Sequence, residues 1–314
     1  MSVKEIRFFQ KIGFLTSSKR ASFTTPNSPF PIPHSYLHFN QIREQLNNIV
    51  THLPSLPRRK ADYWEYGRVH SAEYLEKLSQ MAEGKKLDEY PNLSFECSGL
   101  EFCLPGYQYG LGSMMAAIDE MKMGKLERAY CFSLAGHHAH PDWGHGYCLL
   151  NPLAAAARYA QQNGFPKVLI VDWDIHHGDG TQEIFENDSS IYCISIHSAI
   201  DLYISKVVGA KYGTTTYGEQ VGHCNIPVLD RSFDDDFFAE CHLLGTFYRA
   251  VQSIDVFEEK LANMPWSPDL IGIFSGYDSH IDDCGGEITD WNNEDFKKLT
   301  RAWGSIPRLK AQVC

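Results

Sequence analysis

Five short β-rich runs, RAYCFSL (128–134), KVLIVDWD (167–174), SIYCISIHS (190–198), HCNIPV (223–228) and DLIGIFSGYD (269–278), alternate with stretches of helical periodicity. Those stretches read NPLAAAARYAQQNG, GTQEIFEN and DDDFFAECHLLGTFYRAVQSIDVFEEKLANM. A parallel neighbour is reached only through a crossover, so strand and helix in alternation dictate a mainly parallel sheet with helices on both faces. The expected fold class is α/β, a three-layer α/β/α arrangement in a single domain spanning 1–314. In such sheets ligands bind beyond the carboxyl ends of the strands.

Before this region the chain is less regular. Residues 1–30 are loop-rich, and the segment SSKRASFTTPNSPFPIPHS favours extended loop. FNQIREQLNNIV and SAEYLEKLSQMAEG carry helical spacing, the second opened by Ser71 and closed by Gly84, and YGLGSMMAAIDEMKMG reads as a third, largely buried helix.

A net charge of -11 and the absence of a Lys/Arg cluster argue against direct nucleic-acid binding and favour cationic substrates. Nine cysteines without a C-x-x-C pair fit reduced core residues better than disulfides or a thiolate zinc site. No apolar window is long enough to span a membrane, and the opening MSVKEIRFFQKIGF is not a secretory signal. A soluble, cytoplasmic protein is the expectation, with an organellar leader before Thr25 or a nuclear location as alternatives.

Charge is concentrated where the strands end. DWDIHHGDG places Asp172, Asp174 and His176 on one face of a strand and Trp173 and Ile175 on the other. Acids here could simply cap the helix starting near Gly180, but a cap explains one acid and not three at this spacing. A divalent cation neutralises the cluster most simply. A catalytic zinc keeps three protein ligands and one open position. Asp278, directly after an apolar strand, is the best third ligand, with His280 and Asp282 as rivals. The pair His137–His138, in AGHHAHPDWGHGYC, suggests a water-activating base and its partner. Asp172 and Asp179 are the acids left to orient them.

GHHA, DWDIHHGDGTQ and GYDSHIDD, in that order, resemble the signature blocks of the histone deacetylase and acetylpolyamine amidohydrolase family, nearest its class II branch. The similarity runs from about Pro33 through Thr300 and includes RVHSAEYLEKL and GYCLLNPLAAAARYA. It implies the arginase/deacetylase fold, zinc on Asp174, His176 and Asp278, His138 as general base and His137 as its electrostatic neighbour. It further pairs His137 with Asp172 and His138 with Asp179, and places Gly146 and Tyr147 along an acyl-lysine tunnel. It puts a structural potassium on Asp172, Asp174, His176 and Ser195. Iron(II) competes with zinc at so acid-rich a site.

The implied reaction is hydrolysis of an acyl amide of lysine or a polyamine, with acetylated protein or acetylpolyamine as partner. An arginase-like ureohydrolase is disfavoured, because Asp278-Ser279-His280 lacks the second acid of a two-metal D-x-D pair.

Two departures stand out. The family's Gly-Gly-Tyr loop, which supplies a hydroxyl to the oxyanion, has no counterpart: Gly285 and Gly286 are followed by Glu287, and 304–314 resembles nothing in the family. A truncated chain, impaired in catalysis and acting by binding, is therefore the alternative reading. The family's Pro-Gly-Thr-Gly wall is also missing, leaving Tyr203 and Tyr212 as substitutes.

Overall fold

The computed structural model describes residues 59–97, 99–131, 133–199, 222–229, 248–283 and 289–302, with the backbone of Ile6–Phe8, Gly218–Gln220 and Ala311–Val313. Tyr203, Tyr212, Gly285–Glu287, the 39–50 helix, most of the loop-rich N-terminal segment and most of the 304–314 tail lie outside those residues. The chain divides into two compact units at residues 159/160.

In the first unit, strand β1 (Ile6–Phe8) pairs in parallel with β3 (Arg128–Tyr130), and β2 (Asn92–Leu93) with β4 (Trp143–Gly144). Helix α1 (Ala72–Ala82) begins where the Ser71 hydroxyl accepts the Tyr74 amide, and Gly84 takes the left-handed turn just past its end. Helix α2 (Leu104–Lys122) buries Tyr107, Leu111, Met114, Met115 and Ile118, as its apolar spacing foretold. Helix α3 (Pro152–Gln162) runs across the 159/160 boundary, its run Ala154–Ala157 enclosed.

The second unit is built on parallel strands β5 (Val168–Asp172), β6 (Ile191–Ser198), β8 (His223–Leu229), β9 (Tyr248–Arg249) and β10 (Leu270–Phe274), in the order β10-β5-β6-β8-β9. Short β7 (Gly218–Gln220) runs antiparallel to β8. Because strand side chains alternate, the two faces differ in character. One face presents Leu169 and Val171, Tyr192, Ile194 and Ile196, Cys224, Ile226 and Val228, and Ile271 and Ile273. It packs against Ile254, Phe257 and Leu261 of α5 (Ala250–Ala262) and Phe296 and Leu299 of α6 (Asn293–Arg301).

The opposite face carries polar residues. Register aligns Phe274, Asp172, Ser195 and Asn225 in one row across four strands. Short helix α4 (Asp179–Ile184) meets this face through Gln182, whose carbonyl accepts from Asn225 Nδ2 at 2.9 Å. Buried polar groups persist only when hydrogen-bonded, so this face is specified by matched partners and not by volume alone.

Cys97, Cys103, Cys131, Cys148, Cys193 and Cys224 are free thiols, all but Cys103 buried, consistent with the core role read from the sequence. Among the described residues no helix is long and apolar enough to cross a membrane. Phe257 is completely buried in the apolar layer. Phe257→Ala should cost about 3–5 kcal/mol and lower the denaturant midpoint of the second unit; an unchanged midpoint would contradict this packing.

Candidate metal centre and histidine loop

Parallel neighbours leave a sheet by the same edge, which is why residues more than a hundred positions apart meet at the ends of β5 and β10. After Asp172 the chain stops pairing as a strand, earlier than the sequence pattern suggested, and a run of side-chain-to-backbone bonds takes over. The Asp174 amide donates to Asp172 Oδ1 at 3.1 Å and the His176 amide to Asp174 Oδ1 at 2.9 Å. Alternation survives for most of the segment: Trp173 and Ile175 are buried while Asp174 and His176 face outward. Asp172, in the same alternation, is buried where Asp174 and His176 are not.

From the other strand, Gly276 passes so close to Asp174 that a Cβ there would lie 2.8 Å from both its Cα and its Cβ. This approach brings Asp278 to the same spot. Asp278 Oδ1 accepts the Ile175 amide at 3.0 Å, and Ser279 Oγ donates to the Trp173 carbonyl at 3.1 Å. His176 Nδ1 then stands 3.0 Å from Asp174 Oδ1 and 3.0 Å from Asp278 Oδ2. Ligand atoms of Asp174, His176 and Asp278 all lie within 4.8 Å of one another.

Burial first, and then the Asp174 carboxylate, push the Asp278 carboxyl above the usual range, against the opposing pull of His176 and the Ile175 amide. Two acids that resist joint ionisation around one imidazole form a donor set that fits a divalent cation, and the mixture of carboxylate and imidazole is compatible with zinc or iron(II).

The rival donors lie elsewhere. The Asp282 amide bonds His280 Nδ1 at 3.1 Å, Asp282 is exposed, and the His280 ring stacks on Phe296. Tyr277 also turns toward Phe296, with ring centroids 5.2 Å apart, and its hydroxyl accepts from Ser275 Oγ. Ser195 Oγ and His197 Nδ1 share a hydrogen bond of 2.8 Å.

His137 and His138 belong to the first unit, so their pairing with Asp172 and Asp179 of the second stays an expectation. Both imidazoles are buried, with ring centroids 4.0 Å apart. Tyr107 of α2 anchors the chain on either side of the pair: its hydroxyl donates to the Ala135 carbonyl at 3.1 Å and accepts from the Leu149 amide at 3.0 Å. Gly146 (φ 54°) and Tyr147 (φ 61°) are consecutive left-handed residues. A Cβ at Gly146 would overlap the His138 ring, so only glycine fits. Tyr147 has no such excuse, and its conformation costs about 1–2 kcal/mol that the surrounding bonds must offset. Burial, followed by Glu96, raises the Tyr147 hydroxyl above its ordinary range and keeps it protonated.

Sequence reasoning passed over several residues here. His145 stacks beside His138 (4.6 Å) and on Trp143 (4.8 Å, 18°), which in turn stacks on His140 (4.2 Å, 15°). His70 faces the His140 carbonyl through Nδ1 at 2.8 Å and accepts the Asn151 amide on Nε2 at 2.9 Å. A carbonyl on one nitrogen and an N–H on the other define a neutral imidazole protonated on Nδ1. Burial drives its pKa down to about 4. The run HPDWGHGYC advertises the ring stack, whereas nothing local marks His70.

The sequence profile of the histone deacetylase domain matches residues 33–312. The chain is 58% identical to "Histone deacetylase 15" of Arabidopsis thaliana over 177 residues, covering 54% of this chain and 28% of that protein. It is 27% identical to "Polyamine deacetylase HDAC10" of Danio rerio over 241 residues, 74% of this chain and 34% of that one. The chain thus spans about a third or less of the length of these relatives. The crystal structure of the HDA15 HD domain superposes with a TM-score of 0.73 at 22% identity, over 99% of this chain and 83% of the other. The fold is therefore the three-layer α/β/α arrangement with a central parallel sheet.

His70 is neutral in the fold down to about pH 4, while the unfolded imidazole takes up its proton near 6.5. The unfolded state binds the extra proton between these values, so stability should fall as pH drops from 6.5 to 4, by an amount on the order of 3 kcal/mol. Melts of the wild type against His70→Asn across that window check this. An equally steep loss in the variant would contradict it.

Proposed function

The chain belongs to the histone deacetylase family, and from that premise we propose that it hydrolyses the acyl amide of an acylated lysine side chain or polyamine at one divalent cation. Convergence of Asp174, His176 and Asp278 is the observation that carries this reading. These residues would hold zinc, with iron(II) as the competing ion. When bound, the cation would polarise the acyl carbonyl and acidify a water.

The remaining work falls to the chain's own side chains. His138 takes the proton from the attacking water, and His137 beside it carries the complementary charge. Asp172 and Asp179 are the acids proposed to fix the tautomers of that pair. Gly146 and Tyr147 line the path of the acyl-bearing chain, the bare backbone of Gly146 leaving room for the His138 ring against it. Leaving-amine protonation by a histidine completes the exchange, giving a carboxylate and a free amine. Asp172, Asp174, His176 and Ser195 are the proposed seat of a structural potassium, supported by the β5–β6 register that pairs Asp172 with Ser195.

The acidic balance of the chain, net -11, suits substrates that stay cationic after acylation, such as acetylpolyamines with their remaining amines charged. The partners proposed are accordingly an acetylated protein or an acetylpolyamine.

Acetate release from an acetyl-lysine peptide and from an N-acetylpolyamine tests the proposal directly. Zinc-dependent turnover is expected, falling by about 10²–10⁴ in His138→Ala. Equal turnover by wild type and His138→Ala would overturn it. If metal binds but neither protein turns over, the second reading holds, a chain that binds acyl amines without hydrolysing them. Purified protein should retain one equivalent of zinc, and Asp278→Asn substantially less; undiminished retention by Asp278→Asn would reject this ligand set.

A further inference from the structure

In the first unit, residues 92–97 run beside residues 143–148 almost step for step. Asn92 and Leu93 pair with Trp143 and Gly144 as strands. The Ser94 amide donates to the Gly144 carbonyl at 2.9 Å. The Gly146 amide donates to Glu96 Oε1 at 3.0 Å, and Cys97 Sγ approaches the Cys148 carbonyl at 3.6 Å.

Only one of these ties is made by a charged side chain, and it lands on the residue whose backbone supports His138. Gly146 and Tyr147 both adopt positive φ, an aromatic residue does not hold that conformation unaided, and the His138 ring lies against the unsubstituted Cα of Gly146. A charge-assisted bond to the Gly146 amide is well placed to hold this turn. Glu96 is partly buried, and its second oxygen, Oε2, has no hydrogen-bond partner among the described residues, so a single acceptor oxygen does the holding.

The geometry points to Glu96 as a positioning residue for the proposed hydrolysis: by accepting the Gly146 amide it locks the left-handed Gly146–Tyr147 turn and thereby seats the His138 imidazole. The inference rests on the reading of His138 as the base, and adds to it a residue fifty positions away that works through another. Glu96 need not touch substrate for this role, which asks for an acceptor oxygen at this reach.

Two variants of the full chain separate these possibilities. Glu96→Ala removes the acceptor, whereas Glu96→Gln keeps a carbonyl oxygen at the same reach. Kinetically, Glu96→Ala should lower kcat about tenfold to a hundredfold with KM little changed, because a small displacement of a catalytic group suffices for such a loss, and Glu96→Gln should restore most of it. In protein labelled with ¹³C and ¹⁵N in histidine, the His138 ring resonances, assigned by their disappearance in His138→Ala, should move in Glu96→Ala and return in Glu96→Gln.

The inference is overturned if both variants raise KM equally and leave those resonances in place, which would make Glu96 a direct substrate contact through its charge. It is equally overturned if Glu96→Ala changes neither readout. Should the wild type show no turnover, the proposed reaction fails, and the ring resonances alone still decide whether Glu96 seats His138.

Discussion

Three donor atoms held close together at the rim of a parallel sheet are the constraint on which the rest depends. Two carboxylates and an imidazole would not converge by local preference, because each acid raises the cost of ionising the other. They are forced together by register: β5 and β10 are hydrogen-bonded parallel neighbours, and both chains exit past the same edge. Gly276 makes the close crossing feasible, and the Ile175 amide holds the Asp278 carboxylate where it ends. The apolar layer beneath, from Leu169 to Phe257 and Phe296, fixes the strands that impose this geometry. Stability and chemistry thus share one sheet, its apolar face supplying the first and its strand ends the second.

The histidine loop solves a different problem. A buried pair of imidazoles needs fixed orientation without a regular element to supply it. The first unit provides it by tying loop to loop: Tyr107 bonds both flanks of the pair, His70 bridges His140 and Asn151, and the 92–97 segment grips 143–148. Each tie is a buried or partly buried hydrogen bond whose loss would leave a group poorly satisfied, so the loop resists rearrangement even where its backbone is strained at Tyr147.

Much of this was legible in the sequence. The β-rich runs announced the strands because buried parallel strands need continuous apolar residues, and the caps at Ser71 and Gly84 fell where the helix begins and ends. Outward-facing Asp174 and His176 followed from simple alternation, which persists even though strand pairing stops at Asp172. What the sequence does not carry is distance in space. Its place directly after an apolar strand favoured Asp278 over His280 and Asp282, and the close passage at Gly276 brings it beside Asp174 and His176. The burial of Asp172 was hidden because strand periodicity assigns a face and not a depth. Glu96 was invisible because its partner lies fifty residues on; Tyr147 was named as a tunnel wall, but its left-handed backbone was not legible, because an aromatic residue gives no turn signal.

Zinc-edge X-ray absorption on the zinc-loaded chain examines the convergence of residues 174, 176 and 278 most directly. The account predicts a coordination shell of oxygen and nitrogen scatterers without sulfur, altered in His176→Ala by loss of the imidazole scattering pattern. Sulfur in the shell, or a spectrum indifferent to that substitution, would contradict it.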